Sequence, residues 1–144
     1  MKKIIAAALF VGAFVSAGAY AGTTPTDVTL AANGYVGIGS VDTNINLARQ
    51  FNIIALDNRA GVVKNDFEAT LSANVIAGII DNATNNRIGV VAGSNKGRVG
   101  FTGSSVGGSV AQCGDPVAKD VSNLAASLVV EGTLDLAEPN GCGL

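Results

Sequence analysis

Arg87-Ile88-Gly89-Val90-Val91-Ala92 is followed by Gly93-Ser94-Asn95-Lys96-Gly97 and then by Arg98-Val99-Gly100-Phe101-Thr102. Two short β-branched runs flank a polar, glycine-containing turn, which is the pattern of a β-hairpin. The same rhythm extends in both directions. Phe67-Glu68-Ala69-Thr70-Leu71-Ser72 alternates, with Phe67, Ala69 and Leu71 on one face. Asn74 to Ile80 is apolar and β-branched. Upstream, Asp27–Ala32, Tyr35–Gly39, Asn44–Ala48 and Phe51–Leu56 read as further strands, separated by Asn33-Gly34 and by Asp57-Asn58-Arg59-Ala60-Gly61. Downstream, Gly103–Gly108 is a loop and Thr133-Leu134-Asp135-Leu136 a closing strand. Short strands at regular spacing, bounded by Gly, Asn and Asp, predict an all-β sandwich.

One segment departs from the rhythm. Asp115-Pro116 sets a capping residue before a proline, and Val117, Val121, Leu124 and Leu128 recur at helical spacing. These signals predict one short helix near residues 116–126.

The N-terminus is of another kind. Met1-Lys2-Lys3 is basic, Ile4–Val15 is uncharged and apolar, and Ala19-Tyr20-Ala21 offers small residues at a cleavage site. This is the layout of a secretory signal, expected over residues 1–21. A spanning helix needs about 20 apolar residues, and this run has 12. The expected mature chain is one domain, residues 22–144, with an N-terminal extension at 22–33. No second long apolar run follows, so no integral membrane segment is expected after cleavage.

Cys113 and Cys142 are the two cysteines. In an exported chain their even number predicts one disulfide, with a free thiol pair as the alternative. The spacing is not that of a C-x-x-C redox motif.

Composition excludes more than it assigns. The chain has no histidine and no tryptophan, and aromatic residues make up 5% of it. Without an imidazole, the Ser-His-Asp triad, the Cys-His pair and most zinc sites are removed. Gly103-Ser104-Ser105-Val106-Gly107 fits G-x-S-x-G, but that motif needs a strand-to-helix elbow and a base, so a plain loop is expected. Asp42, Asp57, Asp66 and Asp81 flank turns, and Lys64, Lys96 and Lys119 sit in polar stretches. Neither set suggests paired carboxylates or a buried serine–lysine dyad. Asp81, Asn82 and Asn85 offer hard oxygen ligands for calcium without the spacing of a known calcium loop. Asn82-Ala83-Thr84 is a sequon. No enzyme, no catalytic residue, no metal and no cofactor are expected. Nine basic residues stand against eleven acidic ones, for a net charge of −2. The charges are scattered singly, so no nucleic-acid partner is expected.

Thr26-Asp27-Val28-Thr29-Leu30-Ala31-Ala32 comes just after the expected cleavage site, and Val41-Asp42-Thr43-Asn44-Ile45-Asn46-Leu47 fits a V-D-x-x-I-x-L pattern. Together they resemble the N-terminal region of chaperone–usher pilin subunits of the alternate, CFA/I-like class. The resemblance implies an immunoglobulin-like antiparallel sandwich whose N-terminal strand completes a neighbouring subunit. Val28, Leu30 and Ala32 are the donor-strand candidates. It also implies self-association into a polymer, a periplasmic chaperone, an outer-membrane usher and a cell-surface fimbria. Two other readings stand beside it. In one, Val28–Ala32 is the first strand of an ordinary monomer. In the other, the chain is a small periplasmic or secreted binding module.

Overall fold

The computed structural model describes residues 24–42, 44–123 and 127–144. The expected signal, residues 1–21, lies outside the described residues. The chain forms two sheets, as the strand rhythm predicts. The smaller contains β1 (Thr26–Thr29), β3 (Arg49–Ile54) and β4 (Phe67–Leu71), in the order β1-β3-β4. The larger contains β2 (Tyr35–Ile38), β5 (Val75–Asn82), β6 (Arg87–Ser94), β7 (Gly100–Ser104) and β8 (Ala111–Cys113), in the order β2-β5-β6-β7-β8. All named pairings are antiparallel except one: β1 runs parallel to β3, with Val28 opposite Ile53.

The first core lies between the sheets. Leu30, Ile38, Phe51, Ile53, Ala77 and Ile79 are buried there together. Alternation places Phe51 and Ile53 inward on β3, and Ala77 and Ile79 inward on β5. A second core lies on the opposite face of β5, where Ile76, Ile80 and Val91 pack against Val129 and Leu134 of the C-terminal segment. Both faces of β5 are thus covered, which explains why Val75–Ile80 is continuously apolar rather than alternating. The C-terminal segment needs room against the sheet. Tyr35 lies across Gly78 and Leu136 lies on Gly89, and a Cβ at either glycine would overlap them. Each fully buried Ile, Val or Leu contributes about 1.5–3 kcal/mol to either core.

Coverage of the inner face stops partway across the larger sheet. Ile79 pairs with Val90, and Ala92 with Phe101, so all four share one face. Ile79 is 4% exposed, yet Val90 is 40% and Phe101 45% exposed. The first core extends to Ile88 and Ala92 on β6, while Val90 and Phe101 stay exposed.

Three expectations need correction. The helix near residues 116–126 does not form over Pro116–Asn123; residues 124–126 lie outside the described residues, and Ser127 and Leu128 are helical. Val117 explains the difference, because Arg98 claims both of its backbone groups. The Val117 N–H donates to the Arg98 carbonyl at 2.8 Å, and Arg98 Nε donates to the Val117 carbonyl at 2.7 Å. Asn123 then adopts a left-handed φ of 56°, which a helix does not tolerate. Second, Asn44–Ala48 is a turn rather than a strand: Asn44 has φ 44° and the Leu47 N–H donates to its carbonyl at 2.9 Å. Third, Thr133–Leu136 holds only an isolated bridge, Leu134 to Cys142, after a 3₁₀ turn at Glu131–Thr133.

Candidate functional site

β1 is the N-terminal edge of the smaller sheet. It bonds to β3 on one side, and Asn52 Nδ2 donates to Asp27 Oδ1 at 3.1 Å across the pair. Val28 is half-buried against the first core, and Leu30 enters it at 4% exposure. The Leu30 N–H donates to the Ile54 carbonyl at 3.0 Å, which ends the ladder. Ala32 is exposed and bridges to Asp81 of the larger sheet; the Asn33 N–H donates to the Asp81 carbonyl at 3.0 Å. The chain therefore crosses between the sheets over Leu30–Asn33. Of the three donor-strand candidates, Val28 and Leu30 face the core and Ala32 sits in the crossing.

A cleft of about 350 Å³ opens beside β1 and is lined by Thr24, Thr26, Val28, Gly37, Arg49 and Phe51, among others. Arg49 organises it. Its guanidinium donates through Nη1 to the Ser40 carbonyl at 2.7 Å and through Nη2 to the Val75 carbonyl, and lies 5.9 Å from the centre of the Phe51 ring. Burial lowers its pKa from the ordinary value. Sequence reasoning missed Arg49. The available signal was a cation at the start of a strand whose alternate residues, Phe51 and Ile53, are apolar.

The cysteines are joined: Cys113 of β8 bonds Cys142, with Cα atoms 5.4 Å apart. The C-terminal segment, which roofs the second core, is thereby tied to β8.

The residues considered for chemistry have structural employment. Ser104 Oγ accepts the Val106 N–H at 3.1 Å, and Ser105 Oγ accepts the Ile88 N–H at 2.9 Å. Asp66 Oδ1 accepts the Ala55 N–H at 2.8 Å. Lys64 Nζ donates to the Arg59 carbonyl at 2.9 Å, and Lys64, Lys96 and Lys119 are all exposed. The calcium candidates are not brought together. Asp81 is buried within β5, and its two oxygens accept the Val62 and Val63 N–H groups at 2.7 and 3.0 Å. Asn82 takes the opposite face by alternation, and its Oδ1 accepts the Asn85 N–H at 2.8 Å. Among the described residues no group of three His, Cys, Asp or Glu side chains is placed to hold a metal, and no helix is long and apolar enough to cross a membrane.

Comparison with family models, with curated proteins and with solved structures gave no match.

Proposed function

We propose that this chain is a structural subunit of a bacterial surface fimbria or filament, assembling by strand addition between copies and carrying no enzyme activity. The observation that supports this reading best is the attachment of β1. It is a four-residue strand at the very start of the described chain, bonded to β3 alone and docked through Val28 and Leu30. Such an edge opens at less cost than a central strand, because few contacts hold it. When β1 of one copy occupies the place beside β3 of the next, the same hydrogen bonds and apolar contacts form between subunits, as in domain swapping. The sandwich is then immunoglobulin-like in the sense of the pilin resemblance. Its partners are further copies, a periplasmic chaperone and an outer-membrane usher.

The test is electron microscopy of material sheared from producing cells, labelled with antibody to residues 22–144. Labelled fibres are expected, and Val28→Asp or Leu30→Asp removes them while the chain is still exported. Absence of fibres, or unchanged fibres from both variants, overturns the reading.

The cleft at Arg49 favours a second reading, a monomeric periplasmic or secreted binding module. Its volume of about 350 Å³ falls within the range of small-ligand sites, roughly 300–1,000 Å³. A soluble species of one chain's mass and no fibres would select it.

A further inference from the structure

We propose that Asn140-Gly141 is a self-modifying site held closed by the Cys113–Cys142 disulfide, so that reduction of that bond lets the chain convert Asn140 irreversibly to aspartate or isoaspartate. The chain holds two Asn-Gly pairs, Asn33-Gly34 and Asn140-Gly141. Glycine leaves the preceding asparagine most open to attack by the next backbone nitrogen, because it has no Cβ and its backbone turns freely. In that reaction the Gly141 nitrogen bonds to Asn140 Cγ and gives up its proton. The bond from Cγ to the side-chain nitrogen breaks, and ammonia leaves with that proton. Water then opens the cyclic imide at one carbonyl or the other. One opening gives aspartate, and the other gives isoaspartate, in which the main chain runs through Cβ and Cγ.

The folded chain holds the reacting atoms apart. Asn140 has φ 63° and ψ −5°, so the Gly141 nitrogen lies over Asn140's own nitrogen, turned away from the side chain it must reach. The Gly141 N–H donates to the Glu138 carbonyl at 3.0 Å, and the Gly141 carbonyl accepts the Asp135 N–H at 3.1 Å. The Asn140 N–H donates to the Gly107 carbonyl at 2.8 Å. Asn140 Oδ1 fills the space that a Cβ on Gly108 would need. Cys142 comes next in the chain, and its bond to Cys113 fixes this turn against β8. Asn33-Gly34 is held differently. The Gly34 N–H donates to the Ala31 carbonyl at 3.2 Å, the Asn33 N–H to the Asp81 carbonyl at 3.0 Å, and Asn33 Oδ1 accepts the Thr84 N–H at 3.1 Å. These partners sit on β5 and the turn after it, beside the first core, and neither cysteine is among them.

Reduction therefore acts on one pair and not on the other. A dithiol passes two electrons and two protons to the cysteine sulfurs and closes to its own disulfide. The turn at Asn140 is then held by hydrogen bonds and packing alone. Loss of a cross-link of this loop length raises the open population on the order of a hundredfold. The change is one-way. Among the described residues Asn140 Oδ1 is buried without a donor, so a carboxylate there is a buried charge without a partner. Isoaspartate also lengthens the main chain just ahead of Cys142 and shifts that sulfur against Cys113. Both products oppose re-closure of the bond.

The test uses the exported, disulfide-bonded chain, held in native buffer at neutral pH with and without dithiothreitol. Mass spectrometry follows the peptides that carry Asn140 and Asn33. Asn140 is expected to convert on the order of a hundredfold faster under reductant, while Asn33 keeps one rate in both. Cys113→Ser with Cys142→Ser should reproduce the reduced rate without reductant. Once the reductant is removed, the aged chain should re-form its disulfide incompletely, whereas Asn140→Gln treated alike re-forms it fully. Equal Asn140 rates with and without reductant overturn the proposal. So does equal acceleration at Asn33, which would mean that reduction opens the whole chain rather than its C-terminal turn. Full re-formation in the aged chain overturns the one-way step. Fibres play no part in these readouts, so this proposal and the filament reading fail separately.

Discussion

Asp81 occupies the space that a side chain on Gly61 would need. A Cβ at Gly61 would overlap the carboxylate, which is 1% exposed and accepts the N–H groups of Val62 and Val63. The carboxylate thus holds the loop that follows β3 onto β5. Hydrogen bonds to a charged group contribute about 1.5–3 kcal/mol, and orphaned buried donors cost a similar amount. Asp81→Ala is expected to lower unfolding free energy by about 3 kcal/mol on that basis. Asp81→Asn should cost less, because its amide oxygen still accepts one N–H. Gly61→Ala should cost about 1–3 kcal/mol by overpacking. Denaturant midpoints at unchanged slope are the measurement, and a neutral Gly61→Ala would remove the close approach from the account.

Tyr35 gives a pH signature. Its hydroxyl donates to the Val129 carbonyl at 2.9 Å, and burial, with Glu131 adding to it, raises its pKa above the ordinary 10.0. The unfolded chain therefore releases the phenolic proton at lower pH than the folded chain. The folded state holds more protons in that window, so stability falls as pH rises through about 10 and beyond. Below that range both states are protonated and the effect vanishes. Once residues 1–21 are removed, Tyr35 is the only tyrosine, so the ultraviolet absorbance of the phenolate reports this group alone. Its midpoint should lie above that of free tyrosine and move down in Glu131→Gln. Tyr35→Phe should flatten the alkaline decline and cost about 1 kcal/mol for the lost hydrogen bond.

The hairpin at Arg87–Ser104 was legible because its turn residues and its β-branched runs agree. The misread segments had different causes. At Val117 the local period was right for a helix, but a partner distant in sequence, Arg98, decided otherwise; at Asn44–Ala48 a local turn did, set by the left-handed Asn44. β8 escaped because three residues, Ala111–Cys113, carry no measurable period. Asp81 was read as a turn acid. Counting the alternation on from Ala77 and Ile79 would have placed it on the inner face, where a carboxylate must find donors. The role of Arg49 and the exposure of Val90 and Phe101 were invisible for another reason. Both depend on which strands stack over which, and strand order is not encoded in any local run.

The docking of β1 should be graded along its length. Leu30 is buried in the first core, Val28 is half-buried and Ala32 is exposed. Leu30→Ala removes a buried leucine and should cost about 2–5 kcal/mol. Val28→Ala should cost less, and Ala32→Ser should stay within about 0.5 kcal/mol, as surface changes do. Thermal or urea unfolding of the three variants checks the order. Equal effects at positions 30 and 32 would place β1 differently from the arrangement described here.

The C-terminal roof depends on its covalent tie. Cys113 is 1% exposed and Cys142 is half-buried, and the bond between them spans 29 positions. In the chain-entropy view, a loop of that length stabilises by about 3–4 kcal/mol. The tie also holds Val129 and Leu134 over Ile76, Ile80 and Val91. Cys113→Ser with Cys142→Ser is therefore expected to lose stability by about that amount, and to lose it unevenly. Hydrogen exchange should quicken first at Leu128–Leu134, where 3₁₀ bonds and side-chain contacts hold the segment, before β3 or β5 is affected. The Thr133 hydroxyl, which donates to the Leu128 carbonyl at 2.7 Å, keeps part of the local fold, so protection should fall without vanishing. A uniform loss across both sheets would mean that the roof and the sandwich open as one unit.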